Sequence, residues 1–286
     1  MKRLGIMANC SKPRAADVLR RVVAEAARFG IKLYADPVTA RVLGSCEPVP
    51  VPGLFDCVDA VVALGGDGTM LRVARAVGAR NTPIMGLNIG SLGFLTSVAE
   101  DELAQAFHCL ANDQFTMSSR TMALCMVERG GRELFRDDAL NDVVVGRLKS
   151  SRIITLDVAV DNRPVTSYTC DGLIVSTPTG STGHSLSAGG PIMLPETPVF
   201  VVSLICPHTL SSRPVVVPDQ SEIEITARES AVELMLTVDG QVEQPLASGD
   251  LIRVRKSGHC ARFIHLPGYS YFAVLRQKLH WSGSNV

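Results

Sequence analysis

The residues with the clearest chemical potential form the segment Gly65-Gly66-Asp67-Gly68-Thr69, directly after the apolar run Ala60 to Leu64. Glycines allow a ligand to approach the backbone closely, and N–H groups at the start of a following helix attract an anion, most naturally phosphate. The expected phosphate loop consists of Gly65, Gly66, Gly68 and Thr69. Because phosphate would repel the Asp67 carboxylate, that group is expected to hold a metal ion or to take a proton from a hydroxyl. The alternative is a tight strand-to-helix turn in which Asp67 and Thr69 cap the helix.

A second polar cluster lies at residues 171–192, where an apolar run ends in a loop rich in hydroxyls and glycine. Uncharged hydroxyls suit hydrogen bonds to a neutral polar ligand, such as sugar hydroxyls and base edges. Ser181 and His184 lack an orienting acid at a recognisable spacing, and no GxSxG motif occurs, so a catalytic nucleophile is not expected. The alternative is an ordinary loop, with Asp171 as a turn residue.

Three further segments have both a functional and a structural interpretation. Asn141-Asp142 precedes three valines and could accept hydrogen bonds from ribose hydroxyls, or open a strand as an Asx turn. Arg152 could bind an anion or simply lie on the surface. The run Val238 to Gln241 is typical of a hairpin turn.

The composition excludes several classes of protein. The 286 residues carry no formal net charge and no basic block, so nucleic-acid binding is not expected. The apolar stretch at the N-terminus is broken by Asn9, Ser11 and Lys12, which argues against a signal peptide. No run of about 18 apolar residues occurs that could cross a membrane. A cytoplasmic protein is therefore expected.

Eight cysteines occur without a CxxC pair, and several lie in apolar runs, such as Cys125 and Cys206. This distribution favours buried, reduced thiols over disulfides or a zinc site.

The first third of the chain alternates predicted strands and helices, which is typical of a Rossmann-like parallel sheet with helices on its faces. Strands are predicted at residues 3–8, 31–35, 60–64 and 83–87, and helices at 14–29, from 70 to 77 and at 100–111. The segment around Pro48, Pro50 and Pro52 is predicted to be a connection. Ligands of such sheets bind beyond the carboxyl ends of the strands, where the Gly65–Thr69 segment and the later run NIGSLGF are expected.

From about Phe115 the pattern changes to strands alone, which indicates a β-sandwich or barrel-like second domain. Its strands are predicted at residues 122–129, 138–147, 152–160, 172–177, 200–205, 222–228, 232–238 and 250–256. A terminal helix within 266–281, with Phe272, Leu275 and Leu279 on one face, is expected to pack on the first domain. The predicted domains are therefore 1–112 with 268–286, an α/β domain, and 113–267, an all-β domain.

Taken in order, six segments resemble the NAD kinase family across nearly the whole chain. They are GGDGT, NIGSLGFL, LNDVVV, DGLIVSTPTGST with SLSAGGP, CPHTLSSRP and VDGQ, and the terminal YFAVLRQKLHWSG also fits. GGDGT alone is shared with diacylglycerol, sphingosine and phosphofructo-kinases, so it indicates only a superfamily. The 171–191 segment narrows the resemblance to NAD kinases.

The resemblance implies transfer of the terminal phosphoryl group of ATP, or of polyphosphate in some members, to the adenosine ribose 2′-hydroxyl of NAD, which produces NADP. It also implies a divalent cation, expected to be Mg²⁺, and a homodimer or homotetramer. Two alternatives share parts of the pattern: a lipid kinase with the same GGDGT loop, and a non-catalytic NAD-binding sensor that would have lost the loop carboxylate.

The resemblance also implies roles for individual residues. Asp67 matches the proton acceptor and Gly68 its binding neighbour, while Phe94 matches an aromatic residue that lines the adenine pocket. Asn141 and Asp142 match the pair on the ribose and base side of the ligand. The other positions that match NAD contacts are Arg72, Arg152, Asp171, Thr182, Gly183, His184, Ser185, Leu186, Ser187 and Gln241.

Two positions depart from the common family pattern. Many members have Ala-Tyr where this chain has Gly183-His184, which replaces an aromatic ring near the ligand with a smaller, titratable one. Many have Glu where this chain has Asp142, whose carboxylate reaches one methylene less far. Both departures concern the affinity for NAD rather than the type of reaction.

Overall fold

The structure, a computed structural model, describes residues 1–90, 93–148, 153–209, 211–228 and 233–281. The chain divides into two compact units, Met1–Ser119 with Ala261–Val286 and Arg120–Cys260. The unit boundaries after Ser119 and Cys260 each lie seven residues from the predicted domain boundaries after residues 112 and 267. No helix among the described residues is both long enough and apolar enough to span a membrane.

The helices and strands of the described residues are as follows. The helices are α1 (Ala15–Arg28), α2 (Pro37–Leu43), α3 (Val51–Cys57), α4 (Asp67–Val77), α5 (Leu103–Ala111), α6 (His184–Ser187) and α7 (Tyr271–Lys278). The strands are β1 (Arg3–Ala8), β2 (Lys32–Ala35), β3 (Ala60–Gly65), β4 (Ile84–Asn88), β5 (Thr116–Arg129), β6 (Arg132–Ala139), β7 (Asp142–Arg147), β8 (Ile154–Val160), β9 (Arg163–Cys170), β10 (Gly172–Ser176), β11 (Val199–Ile205), β12 (Val215–Pro218), β13 (Ile223–Ala227), β14 (Leu234–Val238), β15 (Val242–Leu246) and β16 (Leu251–His265).

The first unit contains the predicted parallel sheet, in the order β2-β1-β3-β4, with the end of β16 parallel to β4. Every residue of β3 is buried, as expected for a central strand covered on both faces. In α1, Val18, Val22 and Ala26 form a buried stripe, and Gly30 (φ +64°) follows the helix end. The carboxyl ends of β3 and β4 therefore lead into the two segments that were expected to bind a ligand.

Two local predictions in this unit need correction. The connection predicted between β2 and β3 contains two helices, α2 and α3. Each has a proline in its first turn, where proline is compatible with a helix. The Asp36 side chain also caps α2 by accepting the Thr39 N–H. Helix α4 begins at Asp67, three residues before the predicted start at Met70.

The terminal helix is present as α7, and it belongs to the first unit, as predicted. Its buried face differs from the prediction. Val274 and Leu275 are buried, whereas Phe272 is 54% exposed. The prediction assumed a 3.6-residue periodicity of buried positions. In this helix of eight residues, the buried positions are instead the two adjacent residues that pack on the first unit.

The second unit contains the predicted β-rich domain, in which two groups of antiparallel strands share one core. One sheet has the order β12-β11-β10-β7-β14-β15; the other group pairs the start of β16 with β13, β8 and β9, and β5 forms a hairpin with β6. Val143, Leu173 and Phe200 of the first sheet pack in one cluster with Leu156 and Ile225 of the other group. Of the two predicted arrangements, this is a sandwich.

Two features of the second unit were not predicted. The single strand predicted at 138–147 is wrong, since β6 ends at Ala139 and β7 begins at Asp142, with a turn between them. Strands β9, β12 and β15 were missed. They lie at sheet edges, few of their residues are buried, and each contains a proline. Strands β9 and β15 therefore lack the apolar pattern that identifies central strands, whereas β12 is an apolar run of only four residues.

All eight cysteines are free, as expected. Burial is confirmed for Cys109, Cys125 and Cys170, and it raises the pKa of the Cys125 thiol to about 12. Cys206 is exposed, contrary to the expectation, because it follows the last residue of β11 in a left-handed conformation (φ +45°).

Candidate active site

The carboxylate of Asp67 is held in place by the backbone of a neighbouring loop. Its Oδ2 accepts a hydrogen bond from the Phe94 N–H (2.8 Å), and its Oδ1 accepts one from the Leu95 N–H (2.9 Å). Gly66 is the N-cap of α4 and Asp67 the first helical residue, and no side chain caps this helix. The tight turn of the alternative interpretation is present, since β3 ends at Gly65 and α4 begins at Asp67, but the predicted capping by Asp67 and Thr69 is wrong.

Two glycines near Asp67 are needed because other atoms approach them closely. A Cβ on Gly93 would lie 1.9 Å from Asp67 Oδ1, and a Cβ on Gly65 would lie 2.2 Å from Thr69 Oγ1. Neither Gly65 nor Gly66 has a positive φ, so backbone conformation does not require glycine at these two positions. The missing side chain instead lets the loop at Gly93 close on the Asp67 carboxylate and leaves room for the Thr69 hydroxyl at Gly65.

Two cationic side chains reach the carboxyl ends of the parallel strands. The Lys12 ammonium donates to the backbone oxygen of Ile89 and lies 3.5 Å from that of Gly65. Arg72 Nη2 donates to the Ala8 oxygen at the end of β1 (3.1 Å). Arg72 was predicted as a site residue from the resemblance, whereas Lys12 was not.

Asn88 provides a buried oxygen that suits a divalent cation. It lies at the end of β4, opposite Gly65 in the strand register, and is 2% exposed. Its Nδ2 donates to the Gly90 oxygen (2.6 Å), while its Oδ1 has no partner in the part of the chain that the structure describes. No group of three or more His, Cys, Asp or Glu that could hold a metal occurs among the described residues. A cation here would need further ligands from substrate phosphates and water, as is usual for Mg²⁺.

In the second unit, Asp239 organises the turn that carries Asn141 and Asp142. Its Oδ1 accepts the N–H groups of Asn141 (2.7 Å) and Asp142 (3.2 Å), and its Oδ2 accepts that of Leu140 (3.1 Å). The hairpin turn predicted at 238–241 is present between β14 and β15. The role of Asp239 was missed, because a turn aspartate gives no sign of a partner 98 residues away.

The hydroxyl-rich segment packs directly on this turn. Thr177 N–H donates to the Asn141 oxygen (2.9 Å), and Thr177 Oγ1 donates to the Leu140 oxygen. A Cβ on Gly180 would lie 2.1 Å from the Asn141 oxygen, so this contact requires glycine. The segment is not an irregular loop, since residues 179–182 form a 3₁₀ turn that α6 follows.

Two neighbouring cavities open on this part of the second unit. One, of about 390 Å³, is lined by Asn141, Asp142, Val144, His184, Thr237, Asp239 and Gly240. The other, of about 340 Å³, shares His184 with the first and is lined also by Asp171 and Arg147, which form an ion pair at 2.8 Å. The structure thus brings together four predicted residues, Asn141, Asp142, Asp171 and His184. Arg147 was not predicted.

The remaining predicted residues of this unit that the structure describes do not line either of these two cavities. Ser185 is fully buried, and its Oγ lies 3.0 Å from Ser203 Oγ, so its hydroxyl serves internal packing. Gln241 is exposed at the hairpin turn. Thr182, Gly183, Leu186 and Ser187 belong to the 3₁₀ turn, to α6 or to the junction between them. Arg152 lies outside the described residues.

Burial, together with the negative charge of Asp239, raises the pKa of Asp142 from 3.8 to about 7. Since the folded-state pKa lies above the unfolded value, folding favours protonated Asp142, and this contribution to stability is lost as the pH rises from about 4 to about 7.

We therefore expect the free energy of unfolding of Asp142→Asn to exceed that of the wild type. The difference between the two proteins should increase by about 2–3 kcal/mol between about pH 5 and pH 8. Urea denaturation of both proteins at the two pH values measures this margin. A margin independent of pH would show that Asp142 titrates normally.

Comparison with known proteins gives one consistent result. Residues 54–115 match the family model described as the ATP-NAD kinase N-terminal domain, and residues 140–266 match the ATP-NAD kinase C-terminal domain. The chain is 42% identical to the NAD kinase of Syntrophotalea carbinolica over 98% of its own length and 99% of that protein. It is 39% identical to the NAD kinase of Geobacter sulfurreducens over the same shares.

Solved structures agree with these relatives. Yeast NADH kinase complexed with NADH matches with a TM-score of 0.93 at 25% identity, covering 100% of this chain and 89% of that one. An NAD kinase from Archaeoglobus fulgidus in complex with ATP matches with a TM-score of 0.78 at 25% identity, covering 98% and 100%.

Proposed function

The chain belongs to the NAD kinase family and is an NAD kinase, and on that basis we propose that Asp67 accepts the proton of the ribose 2′-hydroxyl during phosphoryl transfer. The observation that carries this proposal is the position of the Asp67 carboxylate at the start of α4, with one backbone N–H on each oxygen. A sugar hydroxyl is a weak nucleophile at neutral pH. A carboxylate that takes its proton as the new P–O bond forms accelerates such a step by about 10²–10⁴-fold.

The loop of Gly65, Gly66, Gly68 and Thr69 is proposed to bind the phosphates of the donor. Its N–H groups lie at the start of α4, where a helix attracts anions. The ATP held by the Archaeoglobus fulgidus NAD kinase supports ATP as the donor.

A divalent cation, proposed to be Mg²⁺, would neutralise charge on the donor phosphates. In this unit, the buried Asn88 Oδ1 is the oxygen proposed to bind it, which leaves Asp67 free to accept the proton. When bound, such an ion stabilises the charge that develops on the transferred phosphoryl group.

The second unit is proposed to bind NAD through Asn141, Asp142, Asp171 and His184, the four predicted residues that line its cavities. Carboxylate and amide side chains suit ribose hydroxyls, which donate hydrogen bonds. The NADH bound by yeast NADH kinase supports a dinucleotide ligand. The resemblance proposes further NAD contacts in the second unit, at Arg152, Thr182, Gly183, Leu186, Ser187 and Gln241. In the first unit it proposes Gly68, Arg72 and Phe94. Ser185 would contact the ligand through its backbone, because its hydroxyl is buried against Ser203.

The direct test incubates the purified protein with NAD, ATP and Mg²⁺ and measures NADP by a coupled dehydrogenase assay. Parallel reactions replace ATP with polyphosphate, NAD with NADH, and Mg²⁺ with EDTA. Tight NAD binding in calorimetry without turnover would favour the non-catalytic sensor, and phosphorylated lipid without NADP would favour the lipid kinase. Sedimentation velocity tests the proposed homodimer or homotetramer.

We expect His184→Tyr to lower the KM for NAD several-fold, because His184 is exposed in the wall of both cavities and tyrosine offers a larger ring for stacking. His108→Tyr is the matched control, since His108 is an exposed histidine on α5. Steady-state kinetics with varied NAD measures the effect. An unchanged KM would mean that position 184 does not touch the ligand.

A further inference from the structure

We propose that Lys12 binds the phosphates of the phosphoryl donor at the Gly65–Thr69 loop. This inference rests on the proposed function of that loop as the donor site. It assigns a role to a residue that neither the sequence pattern nor the resemblance identifies.

The first support is where Lys12 is held. Its own N–H donates to the Asn9 oxygen (3.3 Å), and its oxygen accepts the Ala15 N–H (2.9 Å), so a turn between β1 and α1 fixes its backbone. Its ammonium reaches the ends of β3 and β4 through the backbone oxygens of Gly65 and Ile89. The donor loop starts from the end of β3.

The second support is the distance to the donor loop itself. A Cβ on Gly66 would lie 3.7 Å from Lys12 Nζ, which places the ammonium beside the backbone that precedes α4. Phosphate oxygens bound to the N–H groups at the start of α4 would therefore lie next to a positive charge. Charge-assisted hydrogen bonds of this kind are roughly twice as strong as neutral ones.

The third support is the charge balance of Lys12. An ammonium has three donors, and two carbonyl oxygens are its described partners. In the part of the chain that the structure describes, Lys12 forms no ion pair with a carboxylate, whereas Arg14 is paired with Glu100 at 2.7 Å. A half-buried cation that lacks a carboxylate partner favours an anionic ligand.

The alternative is a purely structural role, in which Lys12 only ties the ends of β3 and β4 together. The two roles predict different kinetic results. A structural lysine affects stability and all kinetic constants together, whereas a donor-binding lysine affects the KM for ATP selectively.

The test compares Lys12→Met and Lys12→Gln with the matched control Arg14→Met, whose side chain is two residues away and already paired. We expect both Lys12 variants to raise the KM for ATP at least tenfold while the KM for NAD stays within about twofold. Arg14→Met should leave both constants unchanged. Glutamine keeps an N–H donor for the carbonyl oxygens, so it serves if the methionine variant does not fold.

A binding measurement separates this inference from the proposed function. Sodium tripolyphosphate should raise the melting temperature of the wild type, at constant ionic strength, and should do so much less for the Lys12 variants. This arm needs no turnover, so it tests Lys12 even if the wild type makes no NADP. An unchanged KM for ATP, or equal stabilisation of wild type and variants by tripolyphosphate, would overturn the inference.

Discussion

Replacing Asp67 with asparagine is expected to lower the kcat for NADP formation by about 10²–10⁴-fold and to leave much of the NAD affinity intact. Asparagine is nearly the same size but cannot accept the proton of the ribose 2′-hydroxyl. A coupled assay for NADP gives kcat, and calorimetry with NAD gives the affinity. Activity within a few-fold of the wild type would exclude the general-base role.

The same substitution also affects the loop, so its stability has to be measured. Each Asp67 oxygen accepts one backbone N–H, from Phe94 or Leu95, and an asparagine side chain has a single oxygen. One N–H therefore loses its acceptor, which costs about 1–3 kcal/mol where the group stays buried. Asp56→Asn is the matched control, because Asp56 is a carboxylate of the same unit that is paired with Arg80 at the surface. A melting curve gives the fraction of the variant that is folded at the assay temperature, and it shows whether the fall in kcat is larger than unfolding alone explains.

Gly93→Ala is expected to reduce kcat nearly as strongly as Asp67→Asn, although it leaves every catalytic group in the chain. The added Cβ would lie 1.9 Å from Asp67 Oδ1, so the carboxylate or the loop has to move. Small displacements of a reacting group are costly, because general-base catalysis requires the carboxylate within hydrogen-bond reach of the proton. Steady-state kinetics at saturating NAD and ATP measures the loss.

Gly53→Ala provides the matched control for this variant. Gly53 belongs to the same unit, has no positive φ, and a Cβ there would meet only a Val49 methyl group at 3.8 Å. It should retain wild-type kcat and stability. Equal activity of Gly93→Ala and the wild type would contradict the proposal that catalysis requires the close fit of Gly93 against the Asp67 carboxylate.

Much of the fold was predictable from local pattern. Strand β3 and helix α1 appeared where a continuous apolar run and a 3.6-residue stripe predicted them, because both elements bury faces that leave such patterns. The edge strands β9 and β15 leave no such pattern, because few of their residues are buried, so they were not predicted. The buried face of α7 was also predicted wrongly, because the surface on which a short helix packs decides which of its residues are buried.

By itself, the sequence determined the family, the chemistry of the Gly65–Thr69 loop and the identity of Asp67 as its distinctive carboxylate. Those features depend on residue type and order along the chain. Only the tertiary structure decided how the groups are held: Asp67 by Phe94, Asn141 by Asp239, and the ends of β3 and β4 by Lys12. These partners are 27, 98 and up to 77 residues apart. A hydrogen bond between distant segments depends on how the strands between them pack, and no local pattern records that.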